Sequence, residues 1–288
     1  MKLSAETYVM RERFDDKTAI KMLKDAGFDC FDYSLYWAEG EKNMLGDDYL
    51  SRAEDLRAYA DGIGIECNQA HSPFDVRHTD EFDVSNGKYR ELVRSLEFAA
   101  VMGAKTVIVH AIKDDVPSDT DIFKLNREFY SSLIPYCEKF GIDISVENLF
   151  AYKDGVFNPV LAQPSEHIEF VKSLNSDRFN ICLDVGHSAI TGVLPENAVL
   201  GMDKNILKAL HIHDNDFKGD RHLMPYFGNF DWDKICGALK EIGYDGELTF
   251  EIFGTLRKLP SGALFDALVF ARKIGDILIE KIGGLTKG

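Results

Sequence analysis

The sequence predicts a single closed (β/α)8 barrel over residues 1–288, and three observations carry that expectation. Strand-like and helix-like segments alternate along the whole chain, there are eight such pairs, and no linker rich in Pro, Gly or Ser divides them. Strict alternation implies parallel strands, because each helix returns the chain to the starting edge, and eight units in about 250 residues is the size at which such a sheet closes on itself. An open doubly wound sheet is the competing architecture, but no GxGxxG follows the first strand to support it.

The elements are read in order. Strand one is KLSAETYV (2–9), followed by the amphipathic stretch DDKTAIKMLKDAGF (15–28). CFDYSLY (30–36) precedes a helix in DDYLSRAEDLRAYADGIG (47–64), and GIECNQAH (64–71) precedes KYRELVRSLEFAAVMGA (88–104). KTVIVHA (105–111) is paired with FKLNREFYSSLIPYCEKFG (123–141). DISVENLF (143–150) and FNICLDVGH (179–187) are strands five and six. KALHIHD (208–214) leads to the helix DWDKICGALKEIGYDG (231–246), and ELTFEIF (247–253) closes the set. The helical stretches have apolar residues at three- and four-residue spacing and several stop on Gly, whose freedom at positive φ ends a helix without strain.

Composition narrows the function. A hydrophobic fraction of 45% supplies a large core, and no run of eighteen apolar residues suggests a membrane span. The N-terminal MKLSAETYVMRERF lacks the apolar stretch of a secretory signal, so a cytoplasmic location is expected. Five well-separated cysteines (Cys30, Cys67, Cys137, Cys182, Cys236) form no CxxC pair and read as reduced, buried thiols. The formal charge of −15 repels phosphate polyanions, which argues against nucleic acid and favours a small metabolite.

In this fold, catalytic residues sit at the C-terminal strand ends. Those ends hold His71, His110, Glu147, Asp184, His187, His211, His213 and Glu251, and the loop after strand seven adds Asp220 and His222. Six of the eight histidines fall at the strand ends or just beyond; His78 and His167 do not. Side chains converging on one small mouth would include buried carboxylates, which need a compensating cation. Mixed carboxylate and imidazole ligation without cysteine suits Mn²⁺, Zn²⁺, Fe²⁺, Co²⁺ or Mg²⁺. Glu147, Asp184, His211 and Glu251 form a one-ion set; His71, His110, His187, Asp220 and His222 extend it to two or three. His211 and His213 are two apart, so both face the lumen while Ile212 faces the helices.

The ordered motifs VEN, LDVGH, HIHDND with DRH, and the single strand-eight Glu251 resemble those of the xylose isomerase-like TIM barrel superfamily. The resemblance covers all eight units and is closest to its sugar phosphate isomerase/epimerase and endonuclease IV branch (the second class of apurinic/apyrimidinic endonucleases). It implies two alternatives. Carried over from endonuclease IV, three zinc ions would be held by His71, His110, Glu147, Asp184, His187, His211, Asp220, His222 and Glu251. Carried over from the ketose 3-epimerases, one Mn²⁺ or similar ion would be held by Glu147, Asp184, a strand-seven histidine and Glu251. The strand-seven ligand is read as His211, because DRH then follows in register, with His213 the alternative. YFGNFDW stands where relatives often have GxGxxDW, so Tyr226 or Phe227 replaces a loop glycine.

The expected function is isomerisation or epimerisation of a sugar or sugar phosphate through a metal-stabilised enediolate, using Mn²⁺ or Zn²⁺ and one to three ions. Glu147 and Glu251 are the acid/base pair and His187 orients a substrate oxygen. His213, His71, Arg221, Phe227 and Trp37 are expected to touch substrate, with Arg257 a further phosphate candidate. Tyr33, Tyr36, Phe74, Phe150 and Phe253 are candidate apolar walls. An abasic-site phosphodiesterase, a polyol dehydratase or lyase, and a non-catalytic binding barrel are the alternatives. The sequence leaves the oligomeric state open.

Overall fold

The structure, a computed structural model, describes residues 1–37, 40, 42–153 and 155–283. Ten strands are present among them: β1 (Leu3–Glu6), β2 (Cys30–Ser34), β3 (Glu66–His71), β4 (Thr106–Val109), β5 (Asp143–Glu147), β6 (Leu149–Lys153), β7 (Val156–Val160), β8 (Phe179–Asp184), β9 (Leu207–Ile212) and β10 (Leu248–Phe250). Eight of them close a parallel barrel in the order β1-β2-β3-β4-β5-β8-β9-β10, with β10 returning to β1. The expected (β/α)8 architecture is therefore present.

Local chemistry sets the helix limits. The helix Asp16–Asp25 starts where the Asp15 side chain accepts a hydrogen bond from the Thr18 N–H, and Gly87–Met102 starts where Asn86 caps Lys88 and Tyr89. Tyr49–Ile63, Gly87–Met102 and Ile122–Phe140 each end on a left-handed glycine (Gly64, Gly103 and Gly141).

Two segments depart from the sequence expectation. Strand six was expected to run to 187, but β8 stops at Asp184, whose carboxylate accepts from the His187 N–H at 2.7 Å and so caps the short helix Val185–Ile190. His187 thus reaches the site from a helical turn. Residues 149–150, expected to continue strand five, begin the antiparallel β6–β7 hairpin outside the barrel.

The main hydrophobic core lies between barrel and helices. Alternation along β2 explains one correction. Asp32 faces the lumen, so Tyr33 faces outward, stacking on Phe98 with its hydroxyl donating to Asp16 at 2.9 Å. Tyr33 is therefore core and not a wall of the mouth. Inside the barrel, a base of hydrogen-bonded polar groups (Ser4 with Asn68, Thr106 with Ser145, Ser145 with Asn180) lies below a thin apolar layer of Ile108, Cys182 and Ala209. All five cysteines are free and buried.

Candidate active site

The C-terminal mouth gathers six carboxylates (Glu6, Asp32, Glu147, Asp184, Asp220 and Glu251) around six imidazoles (His71, His110, His187, His211, His213 and His222). Among the described residues none of these carboxylates forms an ion pair with Lys or Arg.

His211 is the hub. Its Nδ1 lies 2.9 Å from Glu147 Oε1, 3.5 Å from Glu251 Oε2 and 3.8 Å from Asp184 Oδ2. Atoms that share one ion at ~2.1 Å stand ~3.4 Å apart in a tetrahedral shell, so the three carboxylate distances to the His211 Nδ1 lie near that range, while the ligand atoms that converge as groups here are those of Asp32, His211 and Glu251 and of Glu147, Asp184 and His187. His213 has contacts of its own. Its Nε2 is 3.0 Å from Asp184 Oδ1 and its ring stacks on His222 at 3.9 Å.

Two further clusters flank the hub. His71, His110 and Glu147 converge on one side, with His110 Nε2 2.8 Å from Glu147 Oε2 but not aligned as a hydrogen bond. On the other side, His187, His213, Asp220 and His222 bring four ligand atoms together, Asp220 lying 3.5 Å from His187 and 3.0 Å from His222. His222 reaches this position with φ +44°, a left-handed conformation that costs a non-glycine residue ~1 kcal/mol or more, and its ring is stacked between His213 and Phe253.

The sequence motifs acquire physical reasons here. Asn148 of VEN accepts from the Asp184 N–H and donates to the Asp184 carbonyl, tying the end of β5 to the Asp184 backbone at the end of β8. In LDVGH, residue 186 must be glycine, because a Cβ there would overlap the His213 ring. Asp214 accepts from the Tyr226 and Phe230 N–H groups and from the Trp232 indole, so it organises the loop and stays out of the mouth. Tyr226 takes φ +73°, so it is the residue standing in a glycine conformation in YFGNFDW.

Burial and neighbours pull the acids apart. Burial raises the Glu147 carboxyl, but His211, hydrogen-bonded to it, and His110 beside it bring it well below its ordinary value. Burial and the surrounding charges of Glu6, Glu147, Asp184 and Asp32 push Glu251 well above. Burial opposes the charge on His187, yet Asp184, Asp220 and Glu147 carry its pKa up to about 10. Burial lowers His110 to about 4.

The other expected substrate contacts are spread around the mouth. His71 is buried beside Glu147, edge-on to Tyr36. Trp37 packs on Tyr8 and Tyr36, with the Arg11 guanidinium over its ring. Phe74 stacks on His110, and Phe150 meets His187 edge-on. Arg221 is exposed and pairs with Asp216, Arg257 pairs with Glu12 and Tyr8, and Phe227 is exposed against Phe270.

Sequence reasoning missed Glu6, Asp32 and Gln69. Neither Glu6 oxygen makes a regular hydrogen bond, and burial followed by the nearby Asp32 charge pushes its pKa well above the ordinary value. The available signal was an acid or amide at the inward position of a short apolar strand. His167, left outside the constellation, is a core residue bonded to the Val146 carbonyl at 3.1 Å.

A family model described as xylose isomerase-like TIM barrel matches residues 20–271. An uncharacterized protein of Methanocaldococcus jannaschii is 28% identical over 61% of this chain, and the uncharacterized protein y4fM of Sinorhizobium fredii is 30% identical over 56%. The matches span 63% and 51% of those relatives' own lengths. Among solved structures, a D-tagatose 3-epimerase-like protein superposes with TM-score 0.75 at 22% identity, covering 98% of each chain. The IolI protein with a bound zinc atom gives 0.76 at 19% identity, covering 98% of this chain and 99% of that one. D-psicose 3-epimerase with D-fructose gives 0.74 at 18% identity, covering 99% of this chain and 100% of that one. At such identities the likeness is one of fold.

Proposed function

The chain belongs to the xylose isomerase-like TIM barrel family, and from that premise we propose that it is a divalent-metal-dependent isomerase or epimerase of a sugar or sugar phosphate. One observation carries the reading: the His211 Nδ1 lies between two buried glutamates at the ends of different strands, 2.9 Å from Glu147 and 3.5 Å from Glu251. That the solved structures of similar fold include D-psicose 3-epimerase supports the substrate class.

An ion held by Glu147, Asp184, His211 and Glu251 would polarise neighbouring carbonyl and hydroxyl oxygens and offset the charge left on them when a carbon-bound proton departs. Of the two glutamates, one accepts that proton and the other returns one from the opposite side. His187, edge-on to Phe150, holds a substrate oxygen, and the wall of Tyr36, Trp37, Phe74 and Phe253 keeps bulk water from the reacting carbon. Manganese or zinc is the proposed ion, and a cytoplasmic location is proposed with it.

The flanking His71–His110–Glu147 and His187–His213–Asp220–His222 clusters favour a second reading, a phosphodiesterase with up to three ions. The charge of −15 weighs against its polyanionic substrate. Incubation with a ketohexose panel in D2O, and separately with an abasic-site duplex, each with Mn²⁺ or Zn²⁺, decides between them. Deuterium incorporation at carbon with no strand cleavage is the expected result; cleavage without exchange would establish the second reading.

A further inference from the structure

We propose that Glu6 is a specificity-determining residue whose carboxyl group takes hydroxyls of the substrate, so that the part of the substrate lying over β1 and β2 is a neutral polyol. The inference rests on the sugar isomerase or epimerase reading above and concerns a side chain that no sequence motif singled out.

Three acids stand in a row on neighbouring strands. Glu6 ends β1 and pairs in register with Asp32 of β2, and the position after the Ala5–Phe250 pair brings Glu251 to its other side. All three are buried, but their surroundings differ. Glu251 lies 3.5 Å from the His211 Nδ1, and Asp32 Oδ2 accepts from the Gln69 amide at 2.8 Å. Glu6 is 2% exposed, and neither of its oxygens has a hydrogen-bond partner; the Phe253 N–H is near it without making a regular bond. Arg257, whose charge reaches Glu6, is itself bound to Glu12 and to the Tyr8 hydroxyl. The backbone beside it is fixed, because the Thr7 N–H donates to the Asp32 carbonyl at 2.9 Å and the Thr7 hydroxyl accepts from the Ser34 N–H at 3.0 Å. A buried carboxyl held in place and left unpartnered by the protein calls for another group to satisfy it.

A metal ion is a poor match, since the ligand-type groups that converge closely enough for one, among the described residues, leave Glu6 out. A phosphate is repelled by adjacent acids. Hydroxyls fit: a carboxylate accepts from O–H donors through both oxygens, and a protonated carboxyl donates one bond and accepts others, so either form binds a polyol. Rings complete the subsite. Tyr8 is edge-on to Tyr36 at 4.8 Å and to Phe253 at 5.6 Å, and burial followed by the Glu251 and Glu6 charges raises the Tyr36 hydroxyl well above its ordinary value, as expected of a ring beside those acids. A few fixed polar groups among apolar ring surfaces are the composition of a site for a small ligand.

The test measures kcat/KM of the full chain, supplied with Mn²⁺, on the best ketohexose and on its monodeoxy and monophosphate analogues, for wild type, Glu6→Leu and Glu6→Gln. In wild type, deletion of one particular hydroxyl is expected to cost roughly 10- to 100-fold, the worth of a hydrogen bond to a charged group, and the phosphate ester at or nearest that position is expected to be turned over no better than the deoxy analogue. In Glu6→Leu the same deletion should cost nothing, while Glu6→Gln, which keeps the shape and one acceptor, retains part of the preference. A packing defect does not reproduce this coupling, because it lowers turnover of every analogue alike. Uniform loss across the analogues in Glu6→Leu overturns the inference. If the variants fold poorly, a wild type for which no hydroxyl deletion costs ~10-fold, or which favours the phosphate ester at the coupled position, does the same. Wild-type protein that turns over no ketohexose would overturn the isomerase reading itself and the inference with it.

Discussion

The two ends of the barrel make opposite use of polar residues. The N-terminal end holds a cavity of about 930 Å³ lined by groups such as Lys105, Lys172, Lys208, Asn180 and Glu247. The C-terminal end has twelve acids and imidazoles packed against one another, most of them buried. At the N-terminal end, open access lets water solvate the lysines, and Lys105 pairs with Glu247 at 2.9 Å. At the C-terminal end, carboxylates are desolvated without Lys or Arg partners, an arrangement that persists when a bound cation or a chemical role requires it. The largest open cavity named here and the desolvated charge thus fall at opposite ends of the barrel.

The largest expected effect tests that contrast at its centre. Glu251→Gln is expected to reduce turnover by at least ~10²-fold, since general acid–base groups contribute ~10²- to 10⁴-fold, with the melting temperature of the metal-free protein unchanged or higher because a buried, unbalanced acid is removed. Turnover at wild-type levels would dissociate Glu251 from the chemistry. The double substitution Asp220→Asn, His222→Ala comes next. If the flanking cluster holds an ion, elemental analysis will count one fewer per chain, and unchanged stoichiometry would make the cluster a hydrogen-bonded support.

A smaller effect is expected from pH. The folded-state pKa of His187, about 10, lies above its ordinary value of 6.5, so the stability it contributes is complete below pH ~6.5 and lost as pH rises towards 10. The metal-free protein should therefore lose at least ~2 °C of melting temperature between pH 7 and 9.5. Asp220→Asn, which removes one of the charges that raise His187, should flatten that slope. The smallest effects belong to the N-terminal end. Lys105→Ala, which removes an exposed ion pair, should change stability by less than ~1 kcal/mol, and turnover should be unaltered; a large loss of activity would make that cavity part of the function.

The sequence by itself determined the eight βα units and the positions of His71, His110, Glu147, Asp184, His187, His211, Asp220, His222 and Glu251, which the fold does bring together. Periodicity fixes which residues alternate into a barrel, and the strand ends then share one mouth whatever the details of packing. Several features were decided only by tertiary structure. That His211 faces Glu147 while His213 faces Asp184 depends on ring orientation and on the space that Gly186 leaves for His213. Tyr33 faces outward because Asp32 faces inward, a parity that the apolar run CFDYSLY does not reveal. Glu6, Asp32 and Gln69 acquire meaning only because barrel closure pairs β1 with β10 and turns the inward side chains of β2 and β3 towards those of β9 and β10 across the lumen. Spacing along the chain carries a side chain's place in its own strand; which nitrogen faces a carboxylate is set by contacts between residues more than a hundred positions apart, such as Gln69 and His211.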